Sequence, residues 1–143
     1  MADKKIELRV IAPTMATDQQ PYKFHKDVDM VIMRCVTGDF GVLPGRVPCS
    51  MVLDTGVLRV YDEGSESHVA ILGGVAHVGD DVVTILSEAA MLPGDVNIEK
   101  VKSEQKETER LFNETSDLHE KQAYRTTLRR HQVLLDVAGS VGR

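Results

Sequence analysis

A chain of 143 residues, of which 42% are hydrophobic and 27% charged, is long enough to bury one core and too short for a large multidomain enzyme. Its formal charge of -5 offers no overall positive field to a phosphate backbone. Three Tyr, three Phe and no Trp leave few stacking platforms for nucleic acid.

The first residues, Met1 to Lys5, carry Asp3, Lys4 and Lys5 and no apolar leader stretch, so export is not expected. From Ile6 to Leu86 the apolar residues come in short alternating runs, the period-two signature of half-buried strands. The clearest run sets Ile6, Leu8 and Val10 on one side and Glu7 and Arg9 on the other. Further strands are expected at Tyr22 to Phe24, Val28 to Val36, Met51 to Leu53, Val57 to Tyr61, His68 to Leu72, Val75 to Val78 and Val82 to Leu86. Val69 to Val78, the longest apolar run, is about half of what a membrane-spanning helix needs, and it contains Gly73, Gly74 and His77. Turn chemistry separates the runs at Gly38-Asp39-Phe40-Gly41, Pro44-Gly45, Asp54-Thr55-Gly56, Asp62-Glu63-Gly64-Ser65, Gly73-Gly74 and Gly79-Asp80-Asp81. No helix-length period fits between them, which favours an antiparallel sandwich or barrel over a parallel sheet with crossover helices.

After Leu92-Pro93-Gly94 the glycines vanish until Gly139, and Lys, Glu, Gln and Arg take over. The expected fold is therefore α+β: an antiparallel beta-sandwich over residues 1–92, then an antiparallel two-helix hairpin over 93–143. Asp95 is expected to cap a helix running to about Asn113, and Asp117 with Glu120 to start a second one. Ile98, Val101, Leu111 and Phe112 form the apolar side of the first helix; Tyr124, Leu128, His131 and Leu135 recur at helical spacing in the second. So thin a stripe cannot hold a hairpin by itself, and the pair must lean on the sandwich or swing away to a partner.

Charge is sorted along this tail. Residues 95–120 hold eight acids and four bases, whereas 121–143 hold one acid and five bases. Lys121, Arg125 and Arg129 stack like charges at four-residue intervals with Arg130 beside them, which costs stability unless a partner uses them. Two readings stay open: a solvated face, or a strip kept for an acidic surface on another protein.

Catalytic signatures are missing. There is no GxxxxGK[ST] loop, no GxGxxG after a strand and no GxSxG elbow. His25, His68, His77, His119 and His131 are scattered without ligand spacing, so no metal site is expected. Cys35 and Cys49 lack a CxxC partner and are read as reduced thiols in a cytosolic setting. The densest constellation is Thr37 to Pro48, where two prolines and apolar Phe40, Val42 and Leu43 suggest a stiff, partly exposed ledge suited to a contact.

In this ledge GDFGVLPGRVP resembles the GDFGILPGHAP signature of the epsilon subunit of F-type ATP synthases. The likeness continues through LRVIAP, GVLRV, AILGGVAHV and VTILSEAA to the two C-terminal helices. The resemblance implies a non-catalytic subunit of the central stalk. Its sandwich would bind the gamma shaft and rest on the ring of c subunits, coupling ion flow to ATP synthesis. Its mobile hairpin would extend along the shaft to the alpha and beta catalytic subunits and brake ATP hydrolysis. The complex would hold it peripherally at the cytoplasmic side of a bacterial cell membrane.

By residue, the resemblance implies a ring and rotor contact at Asp39, Phe40, Gly41, Val42 and Arg46, the last departing from the family's usual His. It assigns Lys121, Arg125, Arg129 and Arg130 to inhibitory contacts with acidic groups of the catalytic subunits. Some bacterial members bind ATP through an I/L-D-x-x-R-A stretch; here Ile98, Glu99, Lys102 and Ser103 stand there. Lys lacks the planar fork of Arg, so no cofactor is expected and ATP binding should be weak or absent. The rival reading is a free-standing beta-sandwich adaptor whose basic helix docks an acidic protein partner.

Overall fold

Alternation along Ile6–Ile11 produces strand β1, with Ile6, Leu8 and Val10 fully buried. The computed structural model describes residues 4–139 and contains seven further strands. These are β2 (Phe24–Val28), β3 (Met30–Cys35), β4 (Gly38–Val42), β5 (Cys49–Asp62), β6 (Ser65–Gly79), β7 (Val82–Leu86) and β8 (Ala90–Met91). Their order is β2-β1-β7-β6-β5-β3-β4, with β8 on β6. Buried side chains of β1 and β7 share one cluster with those of β3 and β4, so the two ends of this order lie over one another as a sandwich.

Three expectations need correction. First, β1 and β7 pair in parallel, Glu7 with Val82 through Ile11 with Leu86, while the other pairs are antiparallel. A parallel pair needs a long connection, and strands β2–β6 supply it where a helix usually would. Second, Val28 to Val36 is broken at Asp29, which joins β2 to β3, and β2 begins only at Phe24.

Third, Asp54-Thr55-Gly56 and Gly73-Gly74 are not turns. They sit opposite each other inside the two long strands β5 and β6, which pair from Cys49–Val78 to Asp62–Ser65. Here the ribbon changes the face it buries. On β5 the core takes Leu53 before this point and Leu58 and Val60 after it; on β6 it takes Val69 and Ile71 before, Ala76 and Val78 after. Gly73 and Gly74 permit the change by adopting φ of 76° and 128°. Turn-forming residues thus serve a bend that carries one hairpin across both layers.

Helix α1 spans Ile98–Glu114 and α2 spans Leu118–Ala138. Asn97, not Asp95, caps α1, its side chain accepting from Lys100 N at 3.1 Å. Asp95 instead closes a 3-10 turn, where its carboxylate accepts from Leu92 N at 3.0 Å and pairs with Lys23 at 2.8 Å. That pair pins the linker to the sandwich and, with the Lys23 ammonium foremost, holds the Asp95 carboxyl below the usual range. Asp117 caps α2 as expected, accepting from His119 N and Glu120 N.

The hairpin leans on the sandwich. Of the expected helix stripes, Val101 and His131 are buried and Leu111, Phe112, Tyr124, Leu128 and Leu135 half-buried, whereas Ile98 is exposed; His131 faces Glu104 of α1 at 3.7 Å. A second apolar edge of α2, Val133 and Val137 with Leu134 alongside, packs on Ala70, Val57 and Met91. This explains the unbroken run Val69 to Leu72: Val69 and Ile71 face the sandwich core while Ala70 faces α2.

Candidate functional site

The ledge is half strand. Residues Gly38–Val42 form β4 against β3, pairing Arg34 with Asp39, Met33 with Phe40, Ile32 with Gly41 and Val31 with Val42. Alternation turns Phe40 and Val42 inward and Asp39 and Gly41 outward. Val42 is buried in the core, so its side chain cannot form the contact surface assigned to it; Phe40 is half-buried against the same core. Asp39 lies outside, 3.3 Å from Arg34 Nη1 and 3.7 Å from Arg59 Nη2. The Arg46 guanidinium covers the Phe40 ring at 4.5 Å. Beyond β4 the exposed apolar residues are Leu43 and Val47.

Asp81, 36 residues from the ledge, holds it in place by accepting from Gly45 N at 2.6 Å, and Lys4 lies 3.0 Å from the same carboxylate. The Gly45 amide, then Lys4, keeps this carboxyl below its ordinary value. A carboxyl depressed by folding contributes stability above its unfolded pKa and loses that contribution as pH falls through the folded one. The protection factor of the Gly45 amide is therefore expected to be high at neutral pH and to fall as pH drops below the usual carboxylate range. Asp81→Asn should make it low throughout; a pH-independent protection factor in the wild-type chain would refute the tether.

A second surface was not singled out from sequence. Val36 N donates to Val52 O at 3.2 Å, Val52 pairs with Val75, and Val75 pairs with Leu86. These four side chains form a row across neighbouring strands and are 62%, 56%, 49% and 43% exposed, so the row is open to solvent. None of them belongs to the cluster beneath α2. Its sequence signal was an apolar residue at the outward position of successive strands, visible only once the pairing is known.

The basic column divides in two. Near the hairpin tip Lys121 Nζ and the Arg125 guanidinium lie 4.4 Å and 5.5 Å from the Phe112 ring centre. Nearer the sandwich, Arg129 donates to Thr55 O at 3.3 and 3.4 Å and reaches Asp54 at 3.2 Å, and Arg130 reaches Glu88 at 3.3 Å. Neutralisation of these two comes from the sandwich, not from the acidic first helix.

Ile98, Glu99 and Lys102 are exposed along the first turns of α1. The nearby cleft between the helices and the linker is lined by Met91, Asp95, Val96, Asn97, Lys100, Val101, Glu104 and Leu134, none of the three among them. The residues present do not fit the nucleotide motif. Among the described residues no cluster of His, Cys, Asp and Glu could hold a metal, and no helix is long and apolar enough to cross a membrane. Both cysteines are free; burial pushes the Cys35 thiol up, which makes it a poor nucleophile.

Residues 6–93 match the family model described as ATP synthase, Delta/Epsilon chain, beta-sandwich domain. The ATP synthase epsilon chain of Alkalihalophilus pseudofirmus is 39% identical over 89 residues, covering 62% of this chain and 67% of the relative. That of Halalkalibacterium halodurans is 36% identical over 118 residues, covering 81% and 88%. Among solved structures, a chain of the Euglena gracilis mitochondrial ATP synthase, determined as OSCP/F1/c-ring, aligns over 94% of this chain and 81% of its own length with a TM-score of 0.73 and 26% identity. The sandwich with its appended hairpin and these matches together show that the chain belongs to the ATP synthase delta/epsilon family.

Proposed function

We propose that this chain, a non-catalytic subunit of the ATP synthase central stalk, joins the gamma shaft to the c ring and brakes ATP hydrolysis with its helical hairpin. The observation that carries the anchoring role is the solvent-exposed row Val36, Val52, Val75 and Leu86, an apolar face on a rigid sheet that leaves α2 uninvolved. The gamma subunit is its occupant, and the outward-facing Asp39 with the Leu43 and Val47 ledge meets the ring. The brake rests on the thin seam beneath α2: a few side chains hold the hairpin, so partner contacts need exceed them only modestly to extend it. Lys121, Arg125, Arg129 and Arg130 then pair with acidic groups of the catalytic subunits. ATP is not a ligand in this reading, because Ile98, Glu99 and Lys102 neither converge nor carry the required fork. The location that follows is peripheral, at the cytoplasmic side of a bacterial membrane.

One hydrolysis assay tests both roles, using a catalytic head that carries gamma. The full chain is expected to bind and slow hydrolysis, and a version ending at Leu92 to bind without slowing it. A full chain with Val52→Lys and Leu86→Glu should bind at least about thirtyfold more weakly, since buried interface anchors typically contribute about 2 kcal/mol or more each. Equal binding by that variant would exclude the apolar row as the anchor; equal rates with the full and shortened chains would exclude the brake. No binding by any version would leave the adaptor reading.

A further inference from the structure

We propose that Asp54 and Glu88 form an ionic latch that keeps Arg129 and Arg130 from the catalytic subunits, so that extension of the hairpin is an exchange of carboxylate partners. The inference rests on the braking role proposed above and names what regulates it. The two arginines are consecutive on α2, about 100° apart around the helix, and reach different parts of the sandwich. Arg129 goes to the bend of β5, bonding Asp54 Oδ2 and the Thr55 carbonyl. Arg130 goes to the segment between β7 and β8, where it meets Glu88. Between these two contacts lies a narrow apolar seam of Val133, Val137 and Leu134 on Ala70, Val57 and Met91. The seam fixes where α2 lies, and the ionic pairs add to its hold.

The latch is also imperfectly satisfied. Arg130 Nε is buried without a hydrogen-bond partner. This orphaned donor disfavours the folded-back state and is relieved on release. An acidic surface that bonds the whole Arg130 fork would therefore gain more than the single Glu88 contact surrendered. The arginines are held well enough to block the inhibitory strip and loosely enough to be captured. Lys121 and Arg125, on the Phe112 ring away from the sandwich, remain accessible for the first encounter.

The experiment compares the full chain with Asp54→Asn/Glu88→Gln, reading amide exchange of Val133 to Ala138 in the isolated protein and then hydrolysis by the gamma-bearing head. Exposed ion pairs are individually weak, so the two together are expected to raise hairpin opening by about three- to thirtyfold. Raising salt should bring the wild-type chain toward the variant. The charge-swapped chain Asp54→Arg/Arg129→Asp should recover slow exchange, whereas Arg129→Asp alone should not, which separates a latch from damage to the fold. Unchanged exchange in the double variant, or failure of the swap to recover it, overturns the latch. Faster exchange with correspondingly deeper inhibition of hydrolysis supports latch and brake together. Faster exchange with unaltered hydrolysis supports the latch and removes the braking role instead.

Discussion

Gly74→Ala is expected to cost about 3–5 kcal/mol in urea unfolding, a large share of the about 5–15 kcal/mol that holds a domain together. Gly74 has φ of 128°, and a Cβ built on it would lie 2.1 Å from Leu86 O and 2.9 Å from Ser87 Cα. Those are backbone atoms of the neighbouring strand, so no rotamer change relieves the overlap, and residues with side chains avoid this φ in any case. Gly73→Ala is the control. Gly73 also has positive φ, 76°, but no atom lies within 4 Å of its added Cβ. Its cost is expected to stay near about 1–2 kcal/mol, the penalty of a left-handed residue alone. Similar losses for the two variants would mean that β6 shifts freely at the bend and that the close approach to β7 does not hold the layers in register.

The second large effect is expected from Val137→Asp. Val137 is fully buried in the seam between α2 and Ala70. Replacing it removes about 1.5–3 kcal/mol of burial and asks an unpaired carboxylate to enter an apolar contact at a further cost of several kcal/mol. The protein need not accept that cost, because α2 can leave the sheet. Exchange protection of α2 should collapse to that of an isolated helical pair, while the sandwich core retains its own protection. The detached hairpin should inhibit the catalytic head more strongly than the wild-type hairpin does. Salt should add little to this release, because α2 has already left the sheet, whereas in the wild-type chain salt loosens the hairpin by screening the Asp54 and Glu88 pairs. An unfolded sandwich in Val137→Asp would instead show that the two parts fold as one cooperative unit.

Both predictions concern places where turn residues and apolar runs carry more than one meaning. Gly73-Gly74 and Asp54-Thr55-Gly56 have the composition of hairpin turns, and elsewhere that composition does make turns. Glu63 and Gly64, for instance, sit at φ of 52° and 79° between β5 and β6. A local pattern cannot distinguish a chain reversal from a bend shared by two paired strands. The difference lies in whether the flanking segments pair with each other or both continue along a common neighbour. The run Val69 to Leu72 is ambiguous in the same way, since continuous burial needs a cover on each face and the second cover arrives from α2, some sixty residues later. The cap of α1 lies two residues beyond Asp95 because Asp95 and Asn97 are both capping types and Lys23 draws Asp95 into the linker turn.

By itself the sequence determined whatever depends on near neighbours along the chain. It settled the strand character of Ile6–Ile11, the helical tail and the Asp117 cap. It also supplied the ledge motif that pointed to the family and the absence of catalytic spacing. Period-two and helical patterns, caps and motifs are set within a few residues, where backbone sterics and side-chain direction leave little choice. The tertiary structure alone decided the parallel β1–β7 pair, the inward turn of Val42 within the ledge, the exposed row from Val36 to Leu86 and the carboxylates that hold Arg129 and Arg130. Each joins segments whose separation in sequence has no bearing on their distance in space: Arg129 meets Asp54 across 75 positions. Such contacts are selected by which faces the whole core leaves uncovered, and no local pattern encodes that.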